Sequence, residues 1–439
     1  MLMTLLAFAV TILIIVAIHE YGHYLSMRAF GVRVLTFSIG FGPRLFSWRS
    51  KGGTDFVLSA IPLGGYVKPL DRRDCEIQPG EEHEEFSAKP AWQRVITYAA
   101  GPAANLLLAI LIYWVVLMGG QSGVPPVVGE VAEGSPAASA DLRPGDELVR
   151  LDQRTVQTWE QFGMAMLGHV GERGSVPLTV RGSDGIERTV GLPMAAWSAD
   201  PEQPLLPVLG VTPQPIPAIV GKVSDDSAAA VAGLREGDRV LRVDGQPIAG
   251  WTEWVEAVQA APARPLALTV QRDGSEVALT LTPKGVQTDN GEIGQAGVRA
   301  GGLREIHYGP LEAIPAAASR LWQQTSMIFA AVGKMLTGEL SVKTLGGPIT
   351  IAQAAGETAA IGLATFLMFL AFFSISLGVI NLLPIPMLDG GWIMFGLIEM
   401  IRGKALPERF LMVAQSVGMM LVFGLMCVAV FNDLMRQFA

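Results

Sequence analysis

Charged residues are scarce in this chain of 439 residues. Asp, Glu, Lys and Arg together make up 16% of it, whereas soluble proteins average about 25%. Hydrophobic residues make up 50%. This balance argues against an ordinary soluble protein and favours a membrane protein with soluble parts. The net charge of -8 argues against nucleic acid as a partner, because proteins that bind nucleic acids are usually basic.

Cysteine is rarer still, and the start of the chain lacks basic residues. Cys75 and Cys427 lie far apart, without metal-like neighbours, so we expect neither a disulfide nor a cysteine metal site. Arg28 is the first basic residue, whereas a secretory signal peptide needs a positive start. The opening MLMTLLAFAVTILIIVAI is also long enough to cross a bilayer. We therefore expect it to be a retained transmembrane helix.

Four long apolar segments indicate four transmembrane helices, at 1–30, 93–118, 361–391 and 408–432. The loop after the first segment is rich in Lys and Arg, and the loop before the last carries Arg402, Lys404 and Arg409. Cytoplasmic loops carry an excess of basic residues. We therefore expect these two loops to be cytoplasmic, and both termini and the region between the second and third segments to lie outside.

That outer region repeats itself. VGEVAEGSPAASADLRPGDELVRLDQRTVQTW, from Val128, matches VGKVSDDSAAAVAGLREGDRVLRVDGQPIAGW, from Val220, with an offset of 92 residues. Each copy predicts a strand, a short alanine-rich helix, a turn and a second strand. The pattern resembles the PDZ domains of bacterial envelope proteases, and the second copy fits it closely. The first copy departs at Asp141 and Gln153, where glycines are expected. We expect the same fold there, but the sequence supports a peptide groove less strongly than in the second copy.

The motif HEYGH, residues 19 to 23, lies at the end of the first apolar segment. His19 and His23 are about one helical turn apart, so one face of a helix can present both imidazoles to one metal ion. Glu20 is rotated away and can reach a water on that ion. Histidine is scarce, with five in the chain, and polar groups at membrane depth are costly unless they are paired or functional. We therefore predict a zinc site rather than a chance match.

Catalytic zinc usually takes three protein ligands and keeps one position open. The third apolar segment ends in NLLPIPMLDGG, residues 381 to 391, where Asp389 follows Pro384 and Pro386. Prolines break the helix, and we expect Gly390 and Gly391 to loosen the chain after it. A broken helix is tolerated where it lines a cavity. We therefore expect Asp389 to be the third ligand, with helix capping as the alternative role. In the second segment we expect Gly101, Pro102 and Asn105 to serve helix packing.

The H-E-x-x-H motif, the N-x-x-P-x-P-x-L-D-G motif and the two PDZ-like copies together resemble the site-2 protease family of intramembrane zinc metalloproteases. The resemblance covers nearly the whole chain. It implies a Gram-negative inner membrane and a membrane-associated β-sheet at residues 36–69 beside the active site. It also implies these roles: zinc ligands His19, His23 and Asp389; catalytic base Glu20; substrate contacts Asn381, Pro384 and Pro386.

The expected fold is a mixed membrane protein with four transmembrane α-helices, a membrane-associated β-hairpin sheet and two α+β PDZ-like domains. The expected order is a first helix with HEYGH, a β-rich loop region, a second helix, two PDZ-like domains on the periplasmic side, an amphipathic connecting segment, and two last helices. These parts span residues 1–30, 31–92, 93–118, 119–205, 206–300, 301–360, 361–391 and 408–432.

The resemblance implies cleavage of transmembrane segments of single-span proteins in the lipid bilayer. Related proteases cut an anti-sigma factor in the envelope stress response, and they clear remnant signal peptides. Two alternatives stay open. One is a non-catalytic PDZ scaffold with a structural metal. The other is a protease of the same family with a different signalling substrate.

Overall fold

The computed structural model describes residues 2–73, 75–167, 169, 174–194, 205–288, 291–338 and 346–438. The chain divides into two compact units, Met1–Gly119 with Tyr308–Ala439, and Gly120–His307. We describe them as the membrane unit and the repeat unit.

The membrane unit is mostly helical. Its helices are α1 (Leu2–Ala29), α2 (Ala91–Met118), α8 (Ala313–Thr337), α9 (Pro348–Ile361), α10 (Leu363–Leu382), α11 (Asp389–Arg402) and α12 (Glu408–Phe438), with a short 3₁₀ turn at Glu82–Glu84. By length and apolar composition, α1, α2, α10 and α12 could each span a bilayer. All four apolar segments expected from the sequence are therefore helical. Their apolar outer surfaces suit a lipid environment.

The third apolar segment is broken at its prolines, as the sequence predicts. Helix α10 ends at Leu382, and a new helix, α11, begins at Asp389. We expected Gly390 and Gly391 to loosen the chain, but both lie in the first turn of α11. A Cβ added at Gly390 would lie 2.2 Å from the Leu383 carbonyl oxygen. These glycines therefore let α11 start directly against the Pro-rich turn.

Two long strands, β1 (Val34–Arg49) and β2 (Asp55–Pro69), pair with each other in the predicted β-region. Residues 36–39 of β1 pair with two separate stretches of β2, so this hairpin folds back on itself into a small sheet. Its base packs on α1, where Tyr24 contacts Phe37 and Phe56 edge to face. Farther along, Phe46 and other large apolar side chains of the hairpin are exposed. Exposed apolar surface of this kind suits contact with lipid.

The repeat unit contains strands β3 to β18 and helices α3 to α7. Its strands are β3 (Gln121–Gly123), β4 (Val128–Val131), β5 (Glu147–Leu151), β6 (Arg154–Thr155), β7 (Ser175–Arg181), β8 (Glu187–Pro193), β9 (Val211–Pro213), β10 (Val220–Val223), β11 (Arg239–Val243), β12 (Gln246–Pro247), β13 (Leu266–Arg272), β14 (Ser275–Leu281), β15 (Lys284–Thr288), β16 (Gly291–Gln295), β17 (Val298–Ala300) and β18 (Arg304–Ile306). Its helices are α3 (Pro136–Ser139), α4 (Trp159–Leu167), α5 (Leu205–Leu209), α6 (Ala228–Ala232) and α7 (Trp251–Gln259).

The internal repeat in the sequence is a repeat in the structure. One half has a sheet in the order β6-β5-β7-β8 with the pair β4-β9, and the other has β12-β11-β13-β14 with the pair β10-β17. Each half has its own buried apolar core. Ser135 caps α3 and Ser227 caps α6 through the same side-chain hydrogen bond to a backbone N–H. The two halves are therefore two similar small domains, each with a core of its own.

Candidate metal centre

The site is built where α1 packs closely against α2. Gly22 allows this contact, because a Cβ added there would lie 2.3 Å from the Ala100 carbonyl oxygen. Gly101 has the same effect on the other helix, because its missing side chain leaves room for the imidazole of His23. His19 and His23 are both 8% exposed. The close packing of α1 against α2 therefore places two imidazoles on one face of α1 and largely shields them from solvent.

Asp389 reaches the same point from a distant part of the chain. Its Oδ2 lies 3.2 Å from His19 Nε2 and 3.5 Å from His23 Nε2. The two Nε2 atoms are 3.2 Å apart. The ligand atoms of the three residues all lie within 4.8 Å of one another. The break after α10 thus brings the carboxylate to the two histidines.

These distances suit zinc. With tetrahedral geometry and bonds of about 2.0–2.1 Å, two ligand atoms of one Zn²⁺ stand about 3.3 Å apart. The three separations here are 3.2, 3.2 and 3.5 Å. Two imidazoles and a carboxylate are also a donor set typical of catalytic zinc, which keeps a further position for water or substrate. The residues present therefore fit the metal ion that the sequence predicts.

Helix α2 hydrogen-bonds the His23 ring at the nitrogen that faces away from the other candidate ligands. His23 Nδ1 lies 2.8 Å from the Thr97 carbonyl oxygen. A carbonyl can only accept, so Nδ1 carries the proton in this bond and Nε2 keeps its lone pair towards Asp389 and His19. A hydrogen bond of this kind fixes the tautomer and the ring orientation of a metal-binding histidine.

A cavity of about 740 Å³ opens beside the three candidate ligands, and Glu20 and Asn381 are among its lining residues. A Cβ added at Gly65 of β2 would lie 2.9 Å from Glu20 Cγ, so the hairpin backbone passes close to this glutamate. Pro384 and Pro386 belong to the turn between α10 and α11, and the described lining does not include them. Met387, in the same turn, lines the cavity and has a φ of +94°, which is unusual for a residue with a side chain.

Sequence reasoning missed several parts of this site. Pro348 and Ile351, from α9, line the cavity. The Thr97 carbonyl belongs to the backbone, so no side chain identified it. Asn105 faces His19 from α2, although we expected it to serve packing. A polar amide in an apolar helix was the signal that could have identified it.

Comparison with known proteins gives a consistent result. The family model described as Peptidase family M50 matches residues 7–425. The Regulator of sigma-E protease RseP of Salmonella typhimurium (strain 14028s / SGSC 2262) is 39% identical over 446 residues, which cover 99% of each chain. The protein of the same name from Escherichia coli (strain K12) is 39% identical over 98% of each chain. A "Putative zinc metalloprotease" of Vibrio cholerae is 37% identical over 98% of each chain.

Proposed function

This chain belongs to peptidase family M50, the site-2 proteases, and is a membrane zinc metalloprotease; we propose that it cleaves transmembrane segments of single-span proteins. The observation that carries this proposal is the meeting of His19, His23 and Asp389 in a cavity between apolar helices. A hydrolytic site at that depth is useful only if its substrate also lies in the membrane.

In this proposal His19, His23 and Asp389 hold the zinc ion, and Glu20 is the catalytic base. Zinc bound there would supply Lewis-acid chemistry towards the scissile carbonyl and the attacking water. Glu20 would take a proton from that water as its oxygen bonds to the carbonyl carbon, and would give the proton to the amine nitrogen as the C–N bond breaks. Asn381, in the same cavity, hydrogen-bonds the unwound backbone of the substrate. We also assign Pro384 and Pro386, in the turn that leads to Asp389, to contact with the substrate.

The hairpin offers a place for the substrate backbone. A peptide bond in a helix is protected by its hydrogen bonds, so the segment must unwind before it is cut. Unpaired backbone groups are costly in lipid. Gly64 and Val67 of β2 line the cavity, and among the described strands β1 and β2 pair only with each other. An unwound substrate strand can therefore add to this sheet and satisfy its polar groups.

The protein is an integral inner-membrane protein, as its family and its apolar helices indicate. We place the repeat unit in the periplasm, because the basic loops belong on the cytoplasmic side. Cleavage would then occur near the cytoplasmic face and release a cytosolic fragment. The names of the relatives refer to regulation of sigma-E. We propose an anti-sigma factor and remnant signal peptides as the substrates of this chain.

We assign the two halves of the repeat unit as PDZ domains. Their matching strand order supports this assignment. In the second half a cleft lies between α7 and the segment Gly294–Val298, with Trp251 and Trp254 in its lining. Such a cleft between a helix and a strand suits an extended peptide. The domains either bind substrate ends there or exclude proteins whose outer domain has not yet been removed.

The Glu20→Gln variant separates this function from a scaffold with a structural metal. A purely structural site has no use for Glu20, so the variant should bind zinc like the parent and lose cleavage of a tagged single-span substrate. Glu357→Gln is the matched control, because Glu357 is an exposed residue of α9 outside the cavity lining. Normal cleavage by Glu20→Gln would refute the assignment.

A further inference from the structure

Asn105 carries a buried amide in the middle of an apolar helix. Its relative exposure is 0%. A polar group that is buried without hydrogen bonds is destabilising, and more so at membrane depth. The backbone carbonyl of Asn105 accepts a hydrogen bond of 2.9 Å from Ser374 Oγ. That bond explains the position of the backbone but gives the side-chain amide no role.

The amide faces a candidate ligand. Asn105 Nδ2 lies 3.3 Å from His19 Nδ1, and Asn105 Oδ1 has no hydrogen-bond partner among the described residues. The two ends of an amide have nearly the same shape, so hydrogen-bond chemistry decides which end faces a neighbour. Rotating the amide by half a turn places Oδ1 against His19 Nδ1.

The chemistry of His19 selects the rotated amide. A neutral imidazole carries one N–H and one lone pair. If the amide N–H₂ donated to Nδ1, the ring hydrogen would lie on Nε2 and point at His23 and Asp389. Nε2 could not then bind a metal ion. With Oδ1 as the acceptor, the hydrogen lies on Nδ1 and the lone pair of Nε2 faces the other two candidate ligands.

We propose that Asn105 is a positioning residue for zinc binding, and that its Oδ1 accepts a hydrogen bond from His19 Nδ1–H. This inference rests on the proposed ligand role of His19. Helix α2 then accepts a hydrogen bond from Nδ1 of each imidazole. The acceptor for His23 is the Thr97 carbonyl, and the acceptor for His19 is the Asn105 amide oxygen. The side chain of Asn105 can be replaced, whereas a backbone carbonyl cannot, so only the support of His19 can be tested by substitution.

Zinc affinity of the full-length protein in detergent is the direct test, measured by competition with a chelating dye. Asn105→Leu replaces the amide with an apolar side chain of similar shape and so removes the hydrogen-bond acceptor. Loss of such a partner weakens metal binding by about 10- to 100-fold. Asn105→Asp keeps an acceptor oxygen and should stay within about threefold of the parent. Thr11→Val is the matched control, because Thr11 is fully buried and donates only to the Ala7 carbonyl of its own helix.

The spectrum of the cobalt-substituted protein gives a second readout, because it reports ligand geometry without any turnover. Asn105→Ala removes the amide without adding apolar bulk and serves if Asn105→Leu fails to fold. Parent-like zinc affinity in a folded Leu or Ala variant would overturn the inference, and so would equal losses in the Asp and Leu variants. His19→Ala tests the underlying assignment separately. If His19→Ala retained full zinc affinity, the ligand role of His19 would fail, whatever the Asn105 variants show.

Discussion

Gly101→Ala should disable the metal centre with a single methyl group. A Cβ added at Gly101 would lie 2.3 Å from His23 Nε2, 2.6 Å from Cε1 and 2.9 Å from Cδ2. Real Cβ atoms essentially never approach another heavy atom closer than 3.0 Å, so His23 Nε2 would have to be at least 0.7 Å farther away. Nε2 is the atom that we assign to zinc.

The size of the effect follows from how tightly this imidazole is held. Zinc–ligand distances vary by only about 0.2 Å, so the required displacement is several times larger than the tolerance. The other ring nitrogen is fixed by its 2.8 Å hydrogen bond to the Thr97 carbonyl oxygen. The ring can therefore not withdraw without weakening that bond as well. We expect zinc affinity to fall by at least about 10-fold and cleavage by about 100-fold, since a misplacement of about 1 Å can have that effect.

Metal analysis of the purified protein and cleavage of a tagged single-span substrate measure the two losses. Gly424→Ala is the matched control, because it adds the same methyl group to the membrane-spanning helix α12, where no atom of the described residues lies within 4 Å of the new atom. Both changes raise intrinsic helix propensity by about 1 kcal/mol, so propensity cannot explain a difference. If Gly101→Ala bound zinc and cleaved substrate as well as Gly424→Ala, the close contact would be irrelevant and our account of the site would be wrong.

Three further predictions concern stability. Asp141→Gly should raise the free energy of unfolding of the repeat unit by about 0.5–1 kcal/mol. Asp141 has a φ of +54°, which glycine adopts without strain, and the ion pair with Arg143 that the variant loses is exposed and contributes little. Chemical denaturation of parent and variant measures this change, and a loss of stability would contradict it. Chelating zinc should lower the thermal unfolding midpoint of the parent, because a bound ligand stabilises the folded state. The same treatment should leave the midpoint of Asp389→Ala nearly unchanged. The hydrogen bonds from Arg72 lower the pKa of Glu85 to about 2 from an ordinary 4.5, so its ionised form stabilises the fold fully above pH 4.5 and loses this effect as the pH falls towards 2. The thermal midpoint of the parent should therefore exceed that of Glu85→Gln at pH 6, and the difference between the two midpoints should shrink below pH 4.5. A difference that stays constant with pH would refute the stabilising role of ionised Glu85.

Much of the architecture could be predicted because the signals are local or repeated. Apolar length predicts the spanning helices without knowledge of their neighbours. The offset of 92 residues predicts two similar domains, since a duplicated sequence folds in the same way twice. The four-residue spacing of His19 and His23 fixes their common face as soon as the segment is helical. Asp389 could be selected because the prolines before it force a break at the end of an apolar segment.

The parts that could not be predicted depend on contacts between distant segments. Helix α11 begins directly after the Pro-rich turn, because Gly390 and Gly391 fit against that turn. In a sequence, two such glycines usually indicate a loose chain rather than the start of a helix. The contribution of α9 to the cavity, through Pro348 and Ile351, depends on how helices separated in sequence pack together. No periodicity within a single segment carries that information.

Helix α2 shows how a packing signal can also be a chemical one. The prediction that Gly101 serves packing is confirmed, since α1 lies against it. On the neighbouring helix α10, a Cβ added at Gly378 would lie 3.2 Å from the Pro102 carbonyl oxygen, so small residues let α2 approach α10 closely as well. Side chains of ordinary size would keep backbones farther apart, and the Thr97 carbonyl would then be out of hydrogen-bond range of His23. The glycines therefore place α2 close enough to orient the ligands, and in lipid such close packing is itself a main source of helix association.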